Sequence, residues 1–194
     1  TNLSQEEKIN LIEDHFRSIM EILQLDTKDQ SLKDTPNRVA KMYVNELFEG
    51  LDPNQAPSIS KFENSFDYSG CILEKNIPFF SLCEHRFVPI KGVAHVAYFA
   101  NEKIIGLSKI NRIVNYLSKK PQVQEKLTVE IVDYLKNILD TEDVACVVEA
   151  EHLCVSMRGI KDVKSLTTTA EYSGKFNIDA VKLELLSMIN KGDE

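Results

Sequence analysis

Apolar side chains recur three and four residues apart through Ile9, Ile12, Phe16, Ile19, Met20 and Leu23, predicting an amphipathic helix that reaches about Leu25. Ser4-Gln5-Glu6-Glu7 ahead of it has the form of a capping box, in which a hydroxyl and a carboxylate each take a free end-of-helix N–H. A second helix is expected from Asp34-Thr35-Pro36, where proline's missing N–H costs nothing. It buries Val39, Met42, Tyr43 and Leu47 and stops at Gly50. Asp52-Pro53 through Pro57-Ser58 reads as a loop. From Ile59 to Phe99 the period shortens to two, which predicts strands. Val93-Ala94-His95-Val96-Ala97-Tyr98 is the clearest of these, with Lys91-Gly92 as the turn before it. Helical spacing returns in Ile110, Ile113, Val114 and Leu117 behind a cap at Ser108. It breaks at Pro121 and resumes through Val123, Leu127, Ile131, Tyr134, Leu135 and Ile138. Two strands, Val144 to Met157 and Ser165 to Tyr172, precede a last helix from Ile178 to Ile189.

This order of elements predicts an α+β fold: an antiparallel sheet with helices layered on one face, preceded by an N-terminal helical segment. The segment spans residues 1–57 and the main domain residues 58–194. Exposed edges in so small a sheet need covering, and self-association is one way to cover them. No internal repeat or low-complexity tract interrupts the pattern.

Charge narrows the partners. Twenty-three basic residues against thirty acidic ones leave a formal charge of −7, which argues against broad nucleic-acid binding. An anionic small molecule would need a local cluster of Lys and Arg. No apolar run approaches membrane-spanning length and the first residues lack a signal core, so a cytoplasmic location is expected. There the four cysteines stay reduced, and Cys83 and Cys154 are better read as ligands or reactive thiols than as a disulfide.

Those two cysteines sit in mirror-image pairs, Cys83-Glu84-His85 and His152-Leu153-Cys154. Read as strands, each pair points to one face, and His152, Cys154, Ser156 and Arg158 share that face. Two thiolates and two imidazoles converging on one spot suit Zn²⁺, and a site with three protein ligands keeps a position open for water. A structural zinc, or buried cysteines without metal, is the alternative; the C-x₂-C spacing usual in structural sites is absent. His15 and His95 read as ordinary helix and strand residues. A second cluster, Ser108-Lys109-Ile110-Asn111-Arg112, places two cations beside a helix start, an arrangement suited to phosphate, and Arg158 and Arg38 could join it. In Gln122-Val123-Gln124-Glu125 a carboxylate could accept two parallel bonds from an amidine-like edge such as guanine N1–H and its exocyclic amine, although alone Glu125 reads as a surface helix residue.

Taken together these segments resemble the GTP cyclohydrolase I family. The matching stretches are Thr35 to Met42, Cys83-Glu84-His85, Gly106 to Arg112, Pro121 to Glu125, and His152-Leu153-Cys154 with Arg158-Gly159, in the family's order. The resemblance implies a tunnelling fold in which residues 58–194 are the catalytic domain. It implies a toroidal homo-oligomer, a decamer of two pentamers, with active sites at subunit interfaces. The implied reaction opens the imidazole ring of GTP, releases C8 as formate and yields 7,8-dihydroneopterin triphosphate, the first step of folate and pterin biosynthesis. Cys83 and Cys154 match zinc ligands, and His85 and His152 match the imidazoles that move protons. Glu125, with Gln124 beside it, matches the guanine anchor. Ser108 lies close to substrate, and Lys109, Arg112, Arg158 and Arg38 match the triphosphate clamp. One position departs from the family's Cys-Glu-His-His: the third zinc ligand is replaced by Arg86, whose guanidinium has no lone pair to offer a metal. Either His85 substitutes, or the two thiols hold a metal weakly, or no metal binds. A relative that binds a purine or pterin nucleotide without opening it is the alternative function that Arg86 suggests.

Overall fold

A computed structural model describes residues 3–191; positions 1–2 and 192–194, the outermost ends of the two expected segments, lie outside them. Strands β1 (Lys61–Glu63) and β4 (Lys103–Ile105) form a small antiparallel ribbon. The main sheet contains β2 (Cys71–Cys83), β3 (Pro89–Phe99), β5 (Pro121–Gln122), β6 (Val144–His152) and β7 (Thr167–Tyr172), in the order β5-β2-β3-β6-β7. The helices are α1 (Gln5–Ile22), α2 (Thr35–Met42), α3 (Leu107–Ser118), α4 (Gln124–Leu139), the single turn α5 (Leu153–Ser156) and α6 (Asp179–Asn190). The fold is α+β, and no helix among the described residues is long and apolar enough to cross a membrane.

The sheet is apolar on both faces where β3 and β6 pair. Ala94, Val96 and Tyr98 of β3 and Val144, Cys146 and Val148 of β6 pack on Ile110, Ile113 and Val114 of α3 and Leu127, Ile131 and Leu135 of α4. The alternate residues Ala97, Ala145 and Val147 pack the other way, against Phe176 and against Leu185 and Ile189 of α6. Helices therefore cover both faces, which corrects the expected single helical layer. The reason is that strands buried on both sides lose the apolar-polar alternation that marks a one-sided sheet. Full burial of side chains such as Phe176 or Leu135 is worth ~1.5–3 kcal/mol each.

Several local expectations change for identifiable reasons. The capping box of α1 forms as read: Ser4 N–H donates to Glu7 Oε2 at 2.8 Å and Glu7 N–H to Ser4 Oγ at 3.2 Å. Of the α1 stripe, though, only Met20 is buried, and Ile19 and Leu23 stay exposed. Asp34 does not cap α2; its carboxylate lies 3.7 Å from Arg38 Nη2 instead. Gly50 does not end that helix either. The chain widens into a π turn over Tyr43–Leu47, and Gly50 sits in a later 3₁₀ turn, where its N–H donates to Lys119 O at 2.8 Å. A Cβ there would overlap the carbonyls of Tyr116 and Lys119, so the glycine permits a close approach. Lys91-Gly92 is no turn but part of β3, where a Cβ on Gly92 would strike Glu149 O across the ladder. Ser108 makes no cap; Gly106 occupies the cap position of α3. Finally, the sheet is not wholly antiparallel. Leu82 and Cys83 of β2 bridge Pro121 and Gln122 of β5 in parallel.

Candidate active site

That parallel bridge decides what surrounds Cys83. It holds β5 against the last residues of β2, and α4 begins immediately after β5, so Gln124 and Glu125 start their helix next to Cys83. Across the sheet, Leu82 pairs with Pro89, and Ile90 in turn pairs with His152. The end of β2, the start of β3 and the end of β6 thus lie along one edge.

Neither mirror-image pair lies on an extended strand as expected. β2 stops at Cys83 and turns at once: Phe87 adopts the left-handed conformation (φ 51°) and its N–H donates to Cys83 O at 2.7 Å. β6 likewise stops at His152, and Leu153–Ser156 make one helical turn, so His152, Cys154, Ser156 and Arg158 do not share a strand face. The convergence survives by a different route. The turn leaves His85 Nδ1 3.8 Å from Cys83 Sγ, and the helical turn carries the Cys154 thiol close enough to that of Cys83 for the two to influence each other. Burial pushes the Cys154 thiol pKa up, the neighbouring Cys83 thiol adds to this, and the Arg86 guanidinium opposes it.

His152 is half-buried and its pKa lies below the ordinary imidazole value because burial disfavours the cation, an effect the Glu125 carboxylate partly offsets. Its Nε2 lies 2.7 Å from Gln124 Oε1. Gln124 is 1% exposed, and its Nε2 donates to Val148 O at 3.0 Å and Thr167 O at 2.8 Å. Gln124 therefore reaches the site through His152 and does not present an open amide. Composition gave no hint of this, but position did: Gln124, Leu127, Thr128 and Ile131 fall on one helical stripe, all buried. Glu125, one residue on, is exposed. Ser156, also missed as a structural residue, donates its hydroxyl to Glu151 Oε1 at 3.0 Å and braces the α5 turn. His85 is largely exposed, its Nε2 4.0 Å from Glu84 Oε1.

The expected cation cluster is not brought together within one chain. Arg158 follows α5 and is exposed at the site end. Ser108, Lys109 and Arg112 ride on α3, whose Asn111 Nδ2 donates to Glu74 Oε1 at 3.1 Å. Glu74 to Cys83 is a stretch of about 30 Å at roughly 3.3 Å per residue, far beyond a side chain's reach. Arg38 stands apart on α2, 72% exposed. Among the described residues, Lys109, Arg112, Arg158 and Glu125 take part in no ion pair.

The donors at the sheet edge do not fit zinc as they stand. Cys83 and Cys154 offer two sulfurs, Arg86 offers none, and among the described residues no three His, Cys, Asp or Glu side chains are placed to hold a metal ion. All four cysteines are free thiols.

A sequence model of GTP cyclohydrolase I matches residues 12–190. GTP cyclohydrolase 1 of Flavobacterium johnsoniae is 51% identical over 188 residues, covering 97% of this chain and 84% of the relative. The enzyme of that name from Aeromonas salmonicida is 49% identical over 90% of this chain and 80% of its own length, and that from Vibrio campbellii 47% identical over 95% and 86%. A family match across nearly the whole chain, over a sheet edge that gathers two thiols, an imidazole and a free carboxylate, places this chain in the GTP cyclohydrolase I family.

Proposed function

We propose that this chain hydrolyses GTP to formate and 7,8-dihydroneopterin triphosphate, the entry step of folate and pterin synthesis. The observation that carries the reading is the meeting of His152, Glu125 and the Cys83–Cys154 pair at one edge of the sheet. Glu125 is an exposed carboxylate in the first turn of α4, without an ion pair among the described residues, and it accepts the N1–H and exocyclic amine of guanine. Holding that edge fixes the purine so that C8 faces His152. Water adds at C8, the C8–N9 bond breaks, and hydrolysis of the resulting formamide releases C8 as formate. The ribose then rearranges, and the ring recloses with loss of water. His152 and His85 carry the protons these steps take up and release. A depressed pKa keeps His152 neutral at pH 7, ready to accept one. Resident zinc supplies Lewis-acid chemistry in the family; the donor set here does not fit it, and no step is assigned to it.

The triphosphate needs cations, and Arg158 lies at this edge together with Arg86, whose guanidinium acts on the Cys154 thiol. Lys109 and Arg112, with Ser108 beside them, serve the site of a neighbouring copy: within one chain Asn111 of their helix bonds Glu74, about 30 Å along β2 from Cys83, and Arg112 lines a cavity with Ile77 and Pro78, still several residues short of it. The active site is then shared between subunits, in keeping with the toroidal decamer and tunnelling fold of the family. Arg38 belongs to the same clamp from the helical segment 1–57, while residues 58–194 form the catalytic body in a cytoplasmic enzyme. The direct test is to incubate the protein with GTP, with and without added Zn²⁺, and to measure formate and, after oxidation, pterin fluorescence. Both products in equal amounts are expected. Tight GTP binding with neither product overturns the reading.

A further inference from the structure

The amide of Gln124 has no freedom in how it faces His152. Its nitrogen donates to two backbone carbonyls, Val148 O at 3.0 Å and Thr167 O at 2.8 Å, both of which only accept. Exchanging the amide oxygen and nitrogen would set the oxygen against two carbonyl oxygens in a site 1% exposed, an arrangement with two unmade bonds and mutual repulsion. The amide oxygen must therefore be the atom 2.7 Å from His152 Nε2. That oxygen carries no proton, so the ring has to supply it. In the neutral imidazole the proton then sits on Nε2, and Nδ1 keeps the lone pair.

We propose that Gln124 is a positioning residue that locks His152 in its Nε2–H tautomer, so that Nδ1 is the nitrogen exchanging a proton with the bound nucleotide. This rests on the reading of His152 as the proton carrier, but the tautomer itself does not. Each carbonyl that anchors the amide belongs to a different part of the sheet: Val148 lies within β6, four residues before His152, and Thr167 begins β7. The lock is thus built from three elements, α4, β6 and β7. A further bond steadies the helix end of it: Thr128 Oγ1 donates to Gln124 O at 2.8 Å. A glutamine that merely filled space would leave its three polar positions to chance; here all three are matched to a partner of the right kind.

The test is ¹⁵N NMR of the intact protein labelled at histidine, at a pH where the imidazoles are neutral, with the His152 signals assigned by their loss in His152→Gln. The wild type should give the pattern of the Nε2–H tautomer. Gln124→Leu removes the acceptor and should return the ring to a mixture of tautomers, with kcat lower by ~10–100-fold and KM for GTP within about twofold. An Nδ1–H pattern in the wild type, or an unchanged Nε2–H pattern in Gln124→Leu, overturns the proposal. The wild-type spectrum decides even if the leucine variant fails to fold. An Nε2–H spectrum in a protein that releases no formate keeps the tautomer lock and removes the catalytic reading instead.

Discussion

Where β6 begins, Asp143 accepts both the Lys175 backbone N–H (2.8 Å) and its ammonium (2.8 Å), and Lys136 closes on Glu142 at 2.6 Å. Where β6 finishes, Glu125 and Arg158 take part in no ion pair among the described residues, and Arg86 stands beside a thiol rather than a carboxylate. Asp143 and Glu142 are thus each matched to a lysine, whereas at the other end Lys120 pairs with Glu130 and His85 lies 4.0 Å from Glu84 while Glu125 and Arg158 stay outside any ion pair among the described residues. The chain carries an excess of seven negative charges, so carboxylate partners for Arg158 are plentiful, and leaving it unpaired is not forced by shortage. Surface ion pairs add only ~0–1 kcal/mol, so withholding them costs the fold little and leaves groups ready for a charged ligand. Only α3 departs from this division, with Lys109 and Arg112 unpaired on the self-satisfied side, as expected if they serve another copy.

Substitutions can break this contrast. The largest effect should come from His152→Ala, which removes a proton carrier and should lower the rate of formate release by ~10²–10⁴-fold, with a loss of stability of ~1–3 kcal/mol because the buried Gln124 Oε1 loses its partner. Glu125→Ala should weaken GTP binding, read by calorimetry, by ~10–100-fold, the equivalent of a charge-assisted bond of ~1.5–3 kcal/mol. Unchanged affinity would remove Glu125 as guanine anchor. Arg86→His adds the missing third donor, and elemental analysis should then find zinc rising toward one per chain together with turnover. The smallest effect belongs to the closed end. Burial raises the Asp143 pKa, but the Lys175 side chain and N–H outweigh it and hold the carboxyl below its ordinary range. A depressed carboxylate lends stability that is present above the unfolded-state pKa and lost as pH falls through the folded one. Asp143→Asn should therefore cost about 1 kcal/mol at neutral pH, flatten the acid side of the stability curve, and leave GTP turnover untouched.

Much of the fold was legible. The stripes of α3 and α4 follow from burial on one side of a regular element, which sequence period reports directly, whereas β3 is buried on both faces and α1 buries only Met20 of its stripe. The coming together of the site's side chains was legible in the sequence more than the way they do so. Cys83, Cys154, His152 and Glu125 gather at one edge, yet the turn after Cys83 and the helical turn at Leu153–Ser156 were read as strand. Four residues of alternating character fit either conformation, and local bonds close the turns, Phe87 N–H to Cys83 O and Met157 N–H to Leu153 O. Gln124 enters the expected site through the family resemblance, beside Glu125, and that resemblance says nothing of its burial. Its place on the Leu127–Ile131 stripe was the better guide, since burial of an amide demands partners inside the fold. The two-residue β5 carries no period at all, and only its partner strand defines it.

That short parallel bridge also limits how the family can vary. Glu125 follows Gln122 in the same short run, and Gln122 is registered against Cys83. Adding or deleting a single residue between Gln122 and Glu125 would rotate the carboxylate by about 100° around its helix relative to the thiols. Length drift should accordingly collect in the exposed segment between Arg158 and Leu166, where a slipped residue disturbs no ladder, and spare the link between Pro121 and α4.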